Sequence, residues 1–277
     1  MTKRGSGPDF VEALARGLDV LTSLGTTTQP LSLREVADQA GLARPTARRL
    51  LLTLIELGYV RVDQGAFALT PRALDLGMAY VSSLGVWELA RPHLESLVGQ
   101  TGESSSMAQL DGGDIVYVAR VAVPKIITLR VEIGTRFPAL VTSQGKVLLA
   151  SLNADALAAA LSEPSRSGLP PLLPRDPAAV RVELDTVRAR GWALADEELA
   201  PGIRSVAVPV RDGAGAVRAA MNVTVHAAET TVETLVEEYL PRLIVAASNV
   251  SADWVRRDAC PHVEVAPFGA EAWPGTA

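Results

Sequence analysis

Cysteine is nearly missing from these 277 residues: Cys260 is the only one, so no disulfide can form within the chain. Histidine is almost as scarce. His93, His226 and His262 lie far apart, and none stands at metal-ligand spacing from another histidine or from the cysteine. No stretch approaches the ~18 uninterrupted apolar residues of a membrane helix, although 48% of the chain is hydrophobic. The opening MTKRGSGPDF has basic residues but no apolar run behind them, so it does not read as a signal peptide. The expectation is a soluble, cytoplasmic protein with no metal site, no membrane span and no disulfide framework.

Catalytic motifs are thin as well. No G-x-S-x-G elbow is present, and His93, on a helix, reads as a surface residue. Ser143-Gln144-Gly145-Lys146 invites a phosphate-loop reading and fails it. Position 140, where that signature needs glycine, is Leu, and Val147 follows the lysine in place of Ser or Thr. Two readings of the segment remain: an anion or ligand site at a helix N-terminus, or plain capping by Thr142 or Ser143. On the segment alone, capping is preferred. Asp196-Glu197-Glu198 could hold Mg²⁺, but without a second carboxylate site or a catalytic histidine it reads better as a solvated loop or a structural anchor. No residue is assigned as catalytic, and no enzyme is expected.

Acidic residues outnumber basic ones, 31 to 26, which argues against wholesale coating of nucleic acid. The excess is uneven. Residues 1–75 hold nine Lys/Arg and eight Asp/Glu, and the remainder holds 17 and 23. Between 44 and 61, Arg44, Arg48, Arg49 and Arg61 are accompanied by one acid, Glu56. A patch this local is enough for phosphate contact.

The arginines sit within regular punctuation. Val11, Leu14, Leu18 and Leu21 recur at helical spacing, and Asp9 with Glu12 predicts a capping box before them. Ser32-Leu33-Arg34-Glu35 predicts another, with Leu33, Val36, Ala37 and Ala40 on one face. Gly41 suits the left-handed position that closes this helix. Pro45 lies in the first turn of a third helix. Its apolar stripe is Ala47, Leu50, Leu51, Leu54 and Leu57, and Gly58 ends it. YVRV, Asp63-Gln64-Gly65 and AFAL then read as a hairpin. Three helices and a two-stranded wing are the winged helix-turn-helix order, with the third helix placed to enter a major groove. Charged residues outside small helices are common, but this placement favours DNA. Arg48 and Arg49 are expected at bases or phosphates, with Arg44, Pro45, Thr46 and Thr53 beside them. Arg34 is at best a backbone contact, and Arg61 on the wing meets the backbone.

Thr70-Pro71 opens a helix expected to reach about Leu84, with Leu74, Met78 and Val81 on one face. A second helix covers about Val86 to Val98, across Pro92. From Ser104 the period becomes that of strands. SSSMAQL and IVYVARV flank Asp111-Gly112-Gly113-Asp114, a hairpin signal, and ITLRVEI alternates with Ile127, Leu129, Val131 and Ile133 on one side. A helix starts near Thr142-Ser143 and LSEPSRSGLPPLLPRDP reads as a loop. A helix follows near Ala178 to Arg190, then two strands turning at Asp212-Gly213, then a final helix from Val232 to Val250. The second half is therefore an α+β domain, its sheet antiparallel.

With these motifs in order, the chain resembles the IclR-type bacterial transcription regulators. LREVADQAGLARPTARRLLLTLIELGYV, the wing and LTPRALDLGMAY are similar to that family's DNA-binding module. RPHLESLVGQTGESSSMAQLDGGDIVYVARV, GTRFPALVTSQGKVLLA, GWALADEELAPGIRSVAVPVRD and AAMNVTV are similar to its second half. The resemblance spans about residues 9–252. It implies a winged helix-turn-helix domain over 9–70, linker helices and dimerisation over 71–100, a GAF/PAS-like effector-binding sensor over 101–252 and a tail over 253–277. It implies a homodimer or dimer of dimers on palindromic double-stranded operator DNA, repressing or activating a catabolic operon in response to a small organic acid, without a cofactor. The effector pocket it implies is drawn from three places: Phe137, Thr142, Ser143 and Gln144; Ile203 and Ser205; Asn222 and Thr224. Ser205 stands where some relatives carry cysteine, so no thiol chemistry is implied. The wording TGESSSMAQLDGGDIVYVARV resembles the branch that regulates aromatic acid breakdown through protocatechuate and β-ketoadipate. Three alternatives stand beside this reading: a regulator of another carboxylic-acid pathway, a small-molecule enzyme with a fused helical domain, and a protein-binding adaptor.

Overall fold

The computed structural model describes residues 7, 9–27, 29–77, 85–124, 131–170 and 175–259. The chain divides into two compact units, Met1–Leu84 and Gly85–Ala277.

In the first unit, helix α1 is Glu12–Leu24, α2 is Leu33–Gln39 and α3 is Arg44–Glu56. Strands β1 (Leu31–Ser32), β2 (Val60–Asp63) and β3 (Ala66–Leu69) form a sheet in the order β1-β3-β2. The capping box before α2 is complete: Glu35 N donates to Ser32 Oγ, and the Glu35 carboxylate accepts from Ser32 N at 2.8 Å. Gly41 takes φ +64°, the left-handed value that sets the turn into α3. The wing turn holds two residues, Gln64 at φ +48° and Gly65 at φ +81°, between the paired Asp63 and Ala66. Two positive φ values match the right-handed twist of a hairpin. Val20, Leu24, Leu31, Val36, Leu51, Leu54 and Val60 close the core.

Three expectations fail in this unit. The first helix is capped by Val11, with no side-chain hydrogen bond, so the Asp9 box does not form. Its expected stripe faces outward: Val11, Leu14 and Leu18 are 60%, 64% and 52% exposed, while Val20, Ser23 and Leu24 are buried. Leu57 follows α3 at its C-cap and is also exposed. The regular period is present in both cases, but the partners that α2, α3 and β3 supply lie on another side. Residues 73–77 are helical; Met78, Val81 and Leu84 lie outside the described residues.

The second unit has three layers. Its sheet runs β6-β5-β4-β9-β8-β7, all pairs antiparallel. The strands are β4 (Ser104–Asp111), β5 (Asp114–Val121), β6 (Arg136–Pro138), β7 (Ala193–Asp196), β8 (Ile203–Arg211) and β9 (Val217–His226). Helix α4 (Val86–Thr101) and the long final helix α9 (Leu240–Ala259) pack on one face. Helix α5 (Ser143–Ala150) packs on the other, backed by α7 (Pro177–Arg190). Alternation along β8 and β9 serves both layers. Val206, Val208, Met221 and Val223 face α9, and the small side chains Ser205, Ala207, Ala220 and Asn222 leave room for α5.

Several sequence expectations change here. The segment 71–100 is split by the division between the units, and α4 is packed on β4, β5 and α9. Helix α6 (Ala154–Ser162), capped by Asn153, was not anticipated. Of ITLRVEI, Ile127, Thr128, Leu129 and Arg130 lie outside the described residues. Val131 to Ile133 are not a strand, and Ile133 is exposed next to a turn at Gly134. The final helix begins as α8 (Val232–Thr234), passes through a π-helical stretch at Leu235–Tyr239 and continues as α9 to Ala259. Residues 253–259 are thus helix and not tail, and Trp254 is buried. Cys260 and His262 lie outside the described residues.

Candidate functional site

The exposed side of α3 is basic and unneutralised. Arg44, Pro45, Arg48, Arg49 and Thr53 are exposed, Thr46 is half-buried, and Arg61 is exposed on β2. Among the described residues, Arg44, Arg48, Arg49 and Arg61 have no carboxylate within ion-pair distance. Arg34 differs: its guanidinium lies 3.6 Å from Asp38 on the same helix. The first turn of α3 carries no acid, so the positive end of the helix dipole and Arg44 act together on an approaching phosphate. Ala47, Leu51 and Leu54 are the buried stripe. At about 100° per residue, Arg48 points to the flank of that stripe and Arg49 points about 200° from Ala47, away from the core.

The second unit holds a cavity between α5 and the middle of the sheet. Its floor is polar and comes from adjacent strands in register. Ser205 pairs with Thr224 across β8 and β9, and Asn222 pairs with Ser106 across β9 and β4. Asn222 is engaged at both ends of its amide: it accepts from Ser106 N at 3.1 Å and donates to Thr224 Oγ1 at 2.9 Å. From above, Thr142 and the start of α5 close in. Thr142 Oγ1 caps the helix by accepting from Gly145 N at 3.1 Å, so one amide at this N-terminus is already used. The hydroxyls of Ser143 and Ser205 meet at 2.7 Å. Gln144, 1% exposed, donates from Nε2 to the carbonyls of Ser106 and Ala220 at 3.1 and 2.9 Å. Its Oε1 is buried and has no partner among the described residues. Tyr117, Val141, Val131, Leu199 and Ile203 supply the apolar walls.

The structure therefore brings Thr142, Ser143, Gln144, Ile203, Ser205, Asn222 and Thr224 to one cavity. Phe137 is not brought there. It sits in the neighbouring core, edge-on to Tyr117 with ring centroids 5.9 Å apart. Tyr117 takes the wall position, and burial pushes its hydroxyl up to about 12.

Sequence reasoning also missed Arg120. Tyr117 and Arg120 are three residues apart on β5, which strict alternation would send to opposite faces. A bulge changes the phase. Ala119 pairs with Met107, but Tyr117 pairs with Ala108, leaving Val118 as the extra residue. Both side chains then face the cavity, the re-aiming that bulges produce. Arg120 Nη1 donates to Ser106 Oγ at 2.9 Å, while its Nε is buried with no partner among the described residues. Burial pulls this guanidinium below its ordinary pKa, only partly opposed by Tyr117. Nothing in the local sequence marks a bulge of this kind.

The free space between these groups is about 30 Å³, room for about two water molecules. A cavity that takes up benzene is roughly 150 Å³, so a ring-sized ligand enters only as the walls give way.

Lys146 lies behind the cavity at 2% exposure. Its Nζ meets Glu183 Oε1 on α7 at 2.7 Å, Glu198 Oε1 at 2.5 Å and the Leu194 carbonyl at 3.3 Å. Asp196-Glu197-Glu198 is thereby the anchor of the loop that carries Leu199. Glu197 holds φ +56°, and its carboxylate accepts from Gly202 N. Among the described residues, no cluster of His, Cys, Asp and Glu could hold a metal ion, and no helix is long and apolar enough to cross a membrane.

Comparison with known proteins agrees with this division. Residues 13–64 match the model of the IclR helix-turn-helix domain, and residues 78–252 match that of the bacterial transcriptional regulator IclR C-terminal domain. The Pca regulon regulatory protein of Pseudomonas putida is 36% identical over 244 residues, covering 88% of this chain and 84% of that protein. A transcriptional regulator of known crystal structure from Rhodococcus sp. RHA1 (RHA06195) is 44% identical, with a TM-score of 0.74 over 88% of this chain and 98% of its own. The inducer-binding domain of the PobR transcription factor from Acinetobacter, a double mutant in complex with 3-hydroxybenzoic acid, is 31% identical, with a TM-score of 0.52 over 58% of this chain and 95% of its own.

Proposed function

The chain belongs to the IclR family of bacterial transcription regulators, and from that premise we propose that it controls a catabolic operon for aromatic acids, sensing the acid in the cavity between α5 and the sheet. One observation carries the effector reading. The cavity has a polar floor of Ser205, Asn222 and Thr224, apolar walls that include Tyr117, Val131, Val141 and Leu199, and a cationic side chain, the mix expected of a small organic acid site. The PobR domain, seen with 3-hydroxybenzoic acid, and the Pca regulon regulator support an aromatic acid over other carboxylates.

On the DNA side, α3 enters the major groove. Arg49, opposite the buried stripe, reaches base edges. Arg44, Arg48 and Thr46 hold phosphates, and Arg61 meets the backbone beside the wing. Pro45 and Thr53 border this surface, and Arg34, already paired with Asp38, contributes least. The active form is a homodimer or dimer of dimers on a palindrome, in the cytoplasm. The outward apolar face of α1 supports association between copies. The effector acts only through its different affinity for the two arrangements of that assembly.

Two measurements test this. Electrophoretic mobility shift on the intergenic DNA beside the gene, at several salt concentrations, should give a palindrome bound with a steep salt dependence. A thermal-shift screen of hydroxybenzoates and short-chain acids should raise the melting temperature with an aromatic acid. Stabilisation by aliphatic acids alone would move the protein to another pathway. Turnover of any acid would make it an enzyme.

A further inference from the structure

The cavity contains two polar atoms that have no partner among the described residues, and they are of opposite kind. Arg120 Nε is a buried donor, and Gln144 Oε1 is a buried acceptor. The Gln144 orientation is set by its neighbours, since Nε2 is the atom that meets two carbonyls, at 3.1 and 2.9 Å. Both groups gather over the same residue: Arg120 donates to the Ser106 hydroxyl and Gln144 to the Ser106 carbonyl. Arg120 also has no carboxylate partner among the described residues. A partly buried guanidinium without a counter-charge is costly, and proteins retain one where an anion arrives to complete it.

We infer that Arg120 holds the effector's carboxylate and that Gln144 Oε1 accepts a hydrogen bond from a hydroxyl on the same ligand. This rests on the effector reading above and narrows it to hydroxylated carboxylic acids. The guanidinium fork matches a carboxylate in geometry as well as charge. Its hydrogen bond to Ser106 places it over β4, two strands from Ser205 on β8, a span of about 10 Å. One aromatic ring with its polar substituents fills that span. A benzoate without a hydroxyl satisfies Arg120 and leaves Gln144 unpaired, whereas a hydroxylated amide pairs Gln144 and leaves the guanidinium without a counter-charge.

The test uses the full-length protein, isothermal titration and thermal shift. The probes are 3-hydroxybenzoate, 4-hydroxybenzoate, 3,4-dihydroxybenzoate, benzoate, 4-hydroxybenzamide and two aliphatic 2-hydroxy acids. Wild type should bind its best hydroxybenzoate on the order of 100-fold more tightly than the amide, and about 10-fold more tightly than benzoate. Arg120→Gln should lose about 100-fold for the acid and bind acid and amide alike; Arg120→Lys should recover part of the loss. The ligand-free melting temperature of Arg120→Gln should not fall, which separates an anchoring role from a structural one. Equal affinity of wild type for acid and amide overturns the inference without any variant. So does an Arg120→Gln protein that binds the acid as wild type does, and in that case the effector reading survives. If only the aliphatic acids bind, the aromatic reading fails, and Arg120 is judged on them by the same comparison. If no acid binds wild type, both fall together.

Discussion

Replacing Lys146 by methionine should loosen the sensor without emptying its core. Methionine has nearly the volume of lysine, so little cavity cost arises. What disappears is the cation shared by Glu183 and Glu198 at 2.7 and 2.5 Å. Removing one partner of a buried pair costs about 3–5 kcal/mol. Here the two carboxylates are 28% and 32% exposed, and Arg175 still lies 2.6 Å from Glu183 and 4.0 Å from Glu198. Water and Arg175 soften the loss to about 2 kcal/mol, or roughly 4–8 °C in melting temperature for a unit of this size. Trp87, Trp192 and Trp254 are described residues of the second unit and the first unit has no tryptophan, so a fluorescence transition in urea reports the second unit. Adding Glu183→Gln and Glu198→Gln should restore most of the stability, because a neutralised network needs no cation. The pH dependence has a definite sign. Burial pushes the Glu183 carboxyl up, but hydrogen bonds from Lys146 and Arg175 outweigh it and hold the group below its usual 4.5. A lowered carboxylate pKa stabilises above the unfolded value and is lost as pH falls through the folded one. The gap between wild type and Lys146→Met should therefore be full at neutral pH and narrow below about pH 4.5. A loss under 1 kcal/mol, or no recovery in the triple variant, would refute the reasoning. Effector affinity should fall as well, since Glu198 anchors the loop that brings Leu199 to the cavity wall.

Gly145→Ala should destabilise the same unit by about 1–3 kcal/mol in urea, against the gain of about 1 kcal/mol that alanine usually gives a helix. An added Cβ there collides with the Ala139 backbone, and backbone cannot turn aside. Arg48→Ala should weaken binding to all DNA sequences alike and lower the salt slope by about 1, while Arg49→Ala should cost about 1–3 kcal/mol and relax specificity at one base position; Arg34→Ala should do neither, as mobility-shift titrations will measure. Ser205→Ala removes one hydroxyl of the Ser143 pair and should weaken effector binding in calorimetry while leaving operator affinity of the free protein unchanged.

What the sequence displayed best were features whose cause is local. Ser32 and Glu35, Gly41, the Gln64-Gly65 turn and the Asp111–Asp114 hairpin are each decided by a few neighbouring residues, and each forms as read. The outward stripe of α1 failed because periodicity states that a face is apolar, not which neighbour will cover it. Helix α6 escaped notice because ADALAAALS is nearly uniform and gives no contrast between faces. The cavity residues on unbroken alternation, such as Ser205, Asn222 and Thr224, were within reach of pattern reasoning aided by resemblance. Arg120 was not, since one unpaired residue in β5 reverses the facing of everything beyond it. Lys146 was visible as a motif but not as a partner, because Glu183 and Glu198 come from 37 and 52 positions further along the chain.

The cavity's floor and roof have different freedom to change. Ser106, Asn222, Thr224 and Ser205 are tied into three central strands, where a shift at one position displaces the ladder on both sides. Val131, Val141 and Leu199 stand on segments outside the sheet and can vary alone. Retargeting this protein as a sensor for a new inducer is then a matter of rebuilding three apolar positions above a fixed polar bed. A library confined to 131, 141 and 199 should yield altered ring selectivity with intact folding, while one that randomises 106, 205 and 222 should yield mostly unfolded chains.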